Sequence, residues 1–125
     1  MTILAVAAGG ALGAVARYLL AVRLYSQFGI GFPWGTLGVN VLGSLLLGIV
    51  LALVEERGAF TPQTRTFITV GFLGGMTTFS TFIYESWTFM REGDPLRMTA
   101  YGVISLAVSF AAFSIGHAGI VALED

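Results

Sequence analysis

The chain contains no cysteine, which excludes a disulfide framework, a thiolate metal site and a thiol nucleophile, and leaves the redox compartment unspecified. Charge is scarce as well: charged side chains make up 10% of the 125 residues and nearly cancel, to a formal net charge of −1. With no cluster of lysine or arginine and no basic tail, the sequence offers nothing to a nucleic acid. Its single histidine, His117, cannot build a metal site within one chain and reads as a polar group near the end of the last apolar stretch. Only three prolines occur. Pro62 and Pro95 fall near the starts of apolar stretches, where a missing N–H leaves no bond unmade, so they read as punctuation. No catalytic constellation is present, and no enzyme is expected.

What is abundant is apolar surface. Hydrophobic residues make up 56% of the chain and the mean hydropathy is +0.87, far from a soluble domain of this size. Crossing a hydrocarbon core of about 30 Å takes roughly 20 mostly apolar residues in a helix. Four stretches meet that length, at about 3–22, 34–54, 66–89 and 98–122. The composition therefore predicts an all-α, multi-pass protein of the cell (inner) membrane, a single four-helix transmembrane domain over 1–125 with short connections. Ala5-Val6-Ala7 looks superficially like a cleavage site. The first stretch nevertheless lacks a positive leading region and is too long for a signal, so a retained helix is expected.

With four spans, both termini and the 55–65 loop share one side of the bilayer, which carries Arg57 and Arg65. The other side carries Arg23, Arg91 and Arg97, joined by Arg17 if its side chain snorkels outward. This is almost no positive-inside bias. Such balance permits insertion in both orientations and an antiparallel pair of copies, though a small chain can also be balanced by chance. Gly9 with Gly13, Gly31 with Gly35, Gly71 with Gly75, and Ser105 with Ser109 are each four apart. Such pairs let helix backbones approach closely in lipid, within one subunit or between two.

Polar residues inside the spans point to function more directly. They are Arg17, Asn40, the hydroxyls of residues 77–81, Glu85, Tyr101, Ser105 and Ser109, groups that in membranes face a bundle interior or a wet cavity. Interhelical hydrogen bonding without transport is the plainer reading of each, and serine or threonine commonly bonds its own backbone. The third stretch concentrates them in GFLGGMTTFSTF at 71–82. Its glycines weaken helix propensity, and Thr77 and Thr78 can supply hydroxyls to unpaired backbone groups, so the third helix is expected to break near 74–77. Non-helical backbone at that depth must be buried in protein or line a wet site, and its carbonyls could bind a hard cation. Beyond the break, Phe79 and Phe82 lie close around a resumed helix, with Thr78, Phe82 and Glu85 in one stripe. A phenyl ring edge is positive. Together with an Asn40 amide and the Ser80 or Thr81 hydroxyls it would make a neutral site for a small anion, although simple packing is the commoner use of phenylalanines at this spacing.

The segments GGALGAVARY at 9–18, PWGTLGVNVLGSLLLG at 33–48 and GFLGGMTTFSTF at 71–82 together resemble the Fluc (CrcB) fluoride channels, over essentially the whole chain. The resemblance implies a dual-topology antiparallel homodimer with two fluoride pathways that passively exports cytoplasmic fluoride and lowers its toxicity. It also implies a structural sodium ion at the dimer interface, held by backbone carbonyls at Gly74 and Thr77. Phe79 and Phe82 match the paired rings of the pathway and Asn40 its fluoride-contacting amide. Ser80, Thr81, Glu85, Tyr101, Ser105 and Ser109 fall on or beside its polar track, and Arg17 matches an arginine near an aqueous vestibule. Ile83 and Tyr84 depart from the small residues often found at their positions. Two other functions fit the residues alone: a small proton-coupled exporter using Glu85 as its relay, and a non-transporting assembly subunit.

Overall fold

The computed structural model describes all residues, Met1–Asp125, and is entirely helical. Helix α1 (Thr2–Phe28) ends at Gly29, whose φ of 83° is open to glycine and strained for other residues. Helix α2 (Trp34–Arg57) ends at Gly58 in the left-handed conformation, where the Ala59 N–H reaches back to the Leu53 carbonyl at 3.2 Å. The third span opens with α3 (Pro62–Thr66), capped by Thr61, whose Oγ1 accepts from the Thr64 N–H at 3.2 Å. A π-helical segment, Phe67–Leu73, follows, then α4 (Gly74–Met76) and α5 (Phe79–Arg91). Helix α6 (Pro95–Ala122) starts from an Asp94 cap. Pro62 and Pro95 both occupy the first turn of their helices, as the sequence predicts.

Four helices are long and apolar enough to cross a membrane: Thr2–Phe28, Trp34–Arg57, Pro62–Arg91 and Pro95–Ala122. They outrun the apolar stretches, most of all at the end of α1, which stays helical six residues past the predicted 22. Hydropathy marks where hydrocarbon ends; a helix continues into the polar region until a residue such as Gly29 stops it.

The spans pass back and forth. An Arg57 to Glu124 ion pair holds the ends of α2 and α6 together, while Arg97 Nη1 reaches the Gly31 carbonyl at 3.4 Å and ties the start of α6 to the α1–α2 connection at the opposite end. His117 Nε2 lies 2.8 Å from Glu55 Oε2 and its ring stacks on Phe113, so the lone histidine joins α6 to α2.

Glycine sets the spacing of the spans. A Cβ on Gly13 would overlap the Phe72 carbonyl oxygen, and one on Gly75 would lie 2.7 Å from the Gly10 carbonyl oxygen. Gly9 and Gly71 meet each other, with a Cβ on Gly71 only 3.0 Å from the Gly9 Cα. The first and third glycine pairs of the sequence are thus partners within one subunit. Gly35 instead admits the Tyr25 ring between α1 and α2, whereas Gly31 has no neighbour within 4 Å. Only 17 of 125 residues are buried, so most of the apolar surface is left for lipid or for another chain.

Candidate functional site

The site is organised by two residues that leave the helical path. Thr77 (φ −82°, ψ 155°) and Thr78 (φ −149°, ψ 118°) have extended backbone between α4 and α5. Gly74, Gly75 and Met76 still complete a helical turn, so the extended backbone is confined to Thr77 and Thr78. Extended backbone leaves polar groups unpaired in a medium that cannot hydrate them, and side chains take their place. Thr78 Oγ1 accepts from the Thr81 N–H at 3.3 Å as the cap of α5, while Thr77 Oγ1 shares the Leu73 carbonyl, at 2.9 Å, with the Thr77 N–H at 3.0 Å. Thr78 therefore caps the resumed helix instead of joining the Phe82 and Glu85 stripe.

Asn40 supplies the rest. Its Nδ2 donates to the Thr78 carbonyl at 2.9 Å and its Oδ1 accepts from the Thr78 N–H at 2.7 Å. One side-chain amide thus satisfies both polar groups of a single residue, as a neighbouring β-strand would. The amide reaches that position because Asn40 lies on the α2 face that also carries Thr36 and Ser44, and Ser44 returns its own hydroxyl to the Asn40 carbonyl at 2.7 Å.

The predicted pathway residues gather around this clamp. Asn40, Phe79, Phe82, Ser105, Leu106 and Ser109 line a cavity of about 140 Å³. The Phe79 and Phe82 rings stand 5.7 Å apart between centroids, tilted by 38°. Phe82 also packs on Tyr101 at 5.0 Å, and Tyr101 meets Phe32 and Phe89 edge-on. Tyr101 is 0% exposed, and its hydroxyl and that of Ser105 are buried with no hydrogen-bond partner. Phe79, by contrast, is 70% exposed. Ser80 and Thr81 are exposed at the start of α5, their hydroxyls 3.4 Å and 3.0 Å from Thr78 Oγ1.

On the other flank, Gly74 and Thr77 join Asn40, Thr78 and Phe79 around a second cavity of about 320 Å³. Arg17, half-buried, does not extend to a helix end: its Nη1 turns to the Thr77 carbonyl at 3.4 Å. Glu85 accepts a hydrogen bond from Thr36 Oγ1 and opens onto a third cavity of about 460 Å³ that it shares with Tyr25.

A family model described as CrcB-like protein, Camphor Resistance (CrcB), fits residues 4–117. The chain belongs to the CrcB family. Among its relatives, a protein of Hahella chejuensis named fluoride-specific ion channel FluC is 48% identical over 113 residues, 90% of this chain and 89% of that one. Proteins of the same name from Aquifex aeolicus and Nitrobacter winogradskyi are 40% identical over 119 residues and 46% identical over 114, covering 92% and 91% of this chain and 96% and 90% of theirs.

In this CrcB chain the sequence reading overlooked Thr36 and Tyr25. Thr36 was within reach: Thr36, Asn40 and Ser44 recur every four residues and so form a polar stripe on one face of α2. Tyr25 carried no such signal, because it lies beyond the apolar stretch of α1 in what reads as a connection.

Proposed function

We propose that this CrcB chain is a fluoride channel, which conducts the ion passively out of the cytoplasm as an antiparallel pair of copies enclosing two pathways. The observation that carries this reading is the pair of orphaned hydroxyls on Tyr101 and Ser105, buried beside the Phe82 ring. A buried donor without an acceptor is unfavourable by about 1–3 kcal/mol. A small anion passing along this face of α6 would supply the missing acceptor. Ring edges add weak positive potential without fixing a cation in the path, which suits conduction, where each site must bind and then release.

Asn40 keeps a part in this scheme. Its amide carries two N–H donors; one goes to the Thr78 carbonyl, and the other is free to meet an ion in the cavity it shares with Phe79 and Phe82. The exposure of Phe79 supports completion of each pathway by a second copy.

We read the extended residues Thr77 and Thr78 as a break that divides the third span into two working halves. The N–H that would bond the Gly74 carbonyl in a continuous helix belongs to Thr78, and it is given to Asn40. Gly74 also stands open, with nothing nearer its Cβ position than the Thr69 carbonyl at 3.6 Å. Carbonyl oxygens of Gly74 and Thr77 suit a hard cation such as sodium, and two from one chain leave room for two from a partner. The ion would hold the paired breaks together and has no part in the flux.

Purified protein in liposomes tests the reading. A fluoride electrode should report rapid release when the membrane potential is shunted with a potassium ionophore, and little release of chloride. Release that follows an imposed pH gradient and disappears in Glu85→Gln would replace the channel with a proton-coupled exporter.

A further inference from the structure

The cavity beside Glu85 has a charge pattern that an anion pathway does not explain by itself. It lies at the end of the molecule formed by the first and third connections, where Tyr25, Gly31, Glu85, Phe89, Glu92 and Arg97 are among its lining residues, and has a volume of about 460 Å³. Two of these residues are carboxylates, Glu85 and Glu92, and Arg97 is the only cation. A third carboxylate, Asp94, lies outside the lining and pairs with Arg97, its Oδ2 3.4 Å from the Arg97 Nε.

Arg97 is placed with more care than a surface arginine needs. Its guanidinium carbon sits 5.5 Å from the centroid of the Phe89 ring, and Phe89 packs edge-on against Tyr101 in the same aromatic cluster as Phe82. Its Nη1 meets the Gly31 carbonyl at 3.4 Å. Planar stacking with a few directed hydrogen bonds suits a guanidinium, and here it holds the charge over the cavity. The side chain stays half-exposed, at 49%, so the charge faces water at the mouth.

We infer that this cavity is the aqueous mouth of the anion pathway next to Glu85, and that Arg97 is the residue that makes the mouth passable to an anion. Without it, an ion approaching Glu85 meets only carboxylates in a cleft with low-dielectric walls, where fields are focused and rates change by about 10- to 1,000-fold. Arg97 acts on entry and exit and leaves the selective part of the pathway unchanged. The inference rests on the fluoride reading above.

The test measures fluoride release from liposomes carrying wild type, Arg97→Gln, Arg97→Lys, Glu92→Gln and the double variant Arg97→Gln with Glu92→Gln. Each is assayed at sub-saturating fluoride in background electrolyte of about 0.01 M and about 1 M, where screening lengths are roughly 30 Å and 3 Å. Arg97→Gln should lower the rate about tenfold in dilute electrolyte, the lower end of the focusing range, and by less than about twofold at high salt. Arg97→Lys keeps the charge but loses the stacked, forked placement and should fall between wild type and Arg97→Gln in dilute electrolyte, and adding Glu92→Gln to Arg97→Gln should recover most of the loss. Glu92→Gln alone keeps every Arg97 contact and should raise the dilute-salt rate, so the inference stays testable even if Arg97→Gln folds poorly. A loss equal at both salts and not recovered by Glu92→Gln would assign Arg97 a structural role and overturn the inference. Wild-type rates in Arg97→Gln, or no gain in Glu92→Gln, would also overturn it while leaving the channel intact. Absence of fluoride release from the wild type would overturn both.

Discussion

Replacing Asn40 separates what the clamp does for the fold from what it does for an ion. Asn40→Ala removes both hydrogen bonds to Thr78, at 2.9 and 2.7 Å, and orphans a backbone donor and acceptor. Taken at about 1–3 kcal/mol each, the loss would be about 2–6 kcal/mol. Two considerations reduce it. Hydrogen bonds in membrane proteins average about 0.6 kcal/mol and reach about 1.7, and the cavities of about 140 and 320 Å³ on either side of Asn40 are roomy enough for water to approach the freed groups. The expected loss is therefore about 1–3 kcal/mol, the range for one orphaned group. Asn40→Asp keeps an acceptor for the Thr78 N–H and loses only the donor, but turns a carboxylate oxygen toward the Thr78 carbonyl. That repulsion and the charge at membrane depth should make it lose at least as much stability as Asn40→Ala, and at least as much fluoride flux. Unfolding in detergent by denaturant, exchange protection of the Thr78 amide, and electrode flux give three independent readings. A wild-type unfolding midpoint and full Thr78 protection in Asn40→Ala would refute the clamp as a stabilising element.

Gly13→Ala should destabilise strongly, because the added Cβ meets the backbone of Phe72 and lies 2.9 Å from the Met76 nitrogen; overpacking typically costs about 1–3 kcal/mol. Gly102→Ala, with nothing within 4 Å, should be neutral or slightly stabilising from helix propensity, and the two denaturation midpoints compared in one detergent check the contrast. Tyr101→Phe removes a hydroxyl that has no partner, so it should leave stability unchanged or raised while slowing fluoride release; full flux would discard the hydroxyl's role in the path. Exchanging sodium for a large organic cation, with no sodium gradient present, should lower activity and loosen the dimer in cross-linking, whereas unaffected flux and dimerisation would count against the carbonyl site.

The spans were legible in the sequence because an apolar run of about 20 residues has few other uses. Helix ends were less so: Arg23, Tyr25 and Ser26 look like a connection, yet they extend α1 to Phe28. Gly9, Gly13, Gly71 and Gly75 announced close packing without naming partners, since spacing along one helix carries no information about which helix faces it. The cassette at 71–82 advertised irregular backbone through its glycines and threonines. That Asn40 attends to Thr78 was hidden, because a side-chain amide can equally face an ion, a neighbour or a backbone group, and only the packed positions of α2 and the third span decide.

The π-helical segment Phe67–Leu73 has a consequence for how this chain can vary. A π-helix bonds each N–H one residue further back than an α-helix and holds an extra residue in the turn. Removing that extra residue would return the turn to α-geometry and leave the downstream chain close to its present phase, with Gly75 still at Gly10 and Thr78 still at Asn40. A deletion in a regular α-helical part of the span has no such slack and would rotate everything after it by about 100°. The segment 67–73 is therefore where the third span can absorb a change of length ahead of the site.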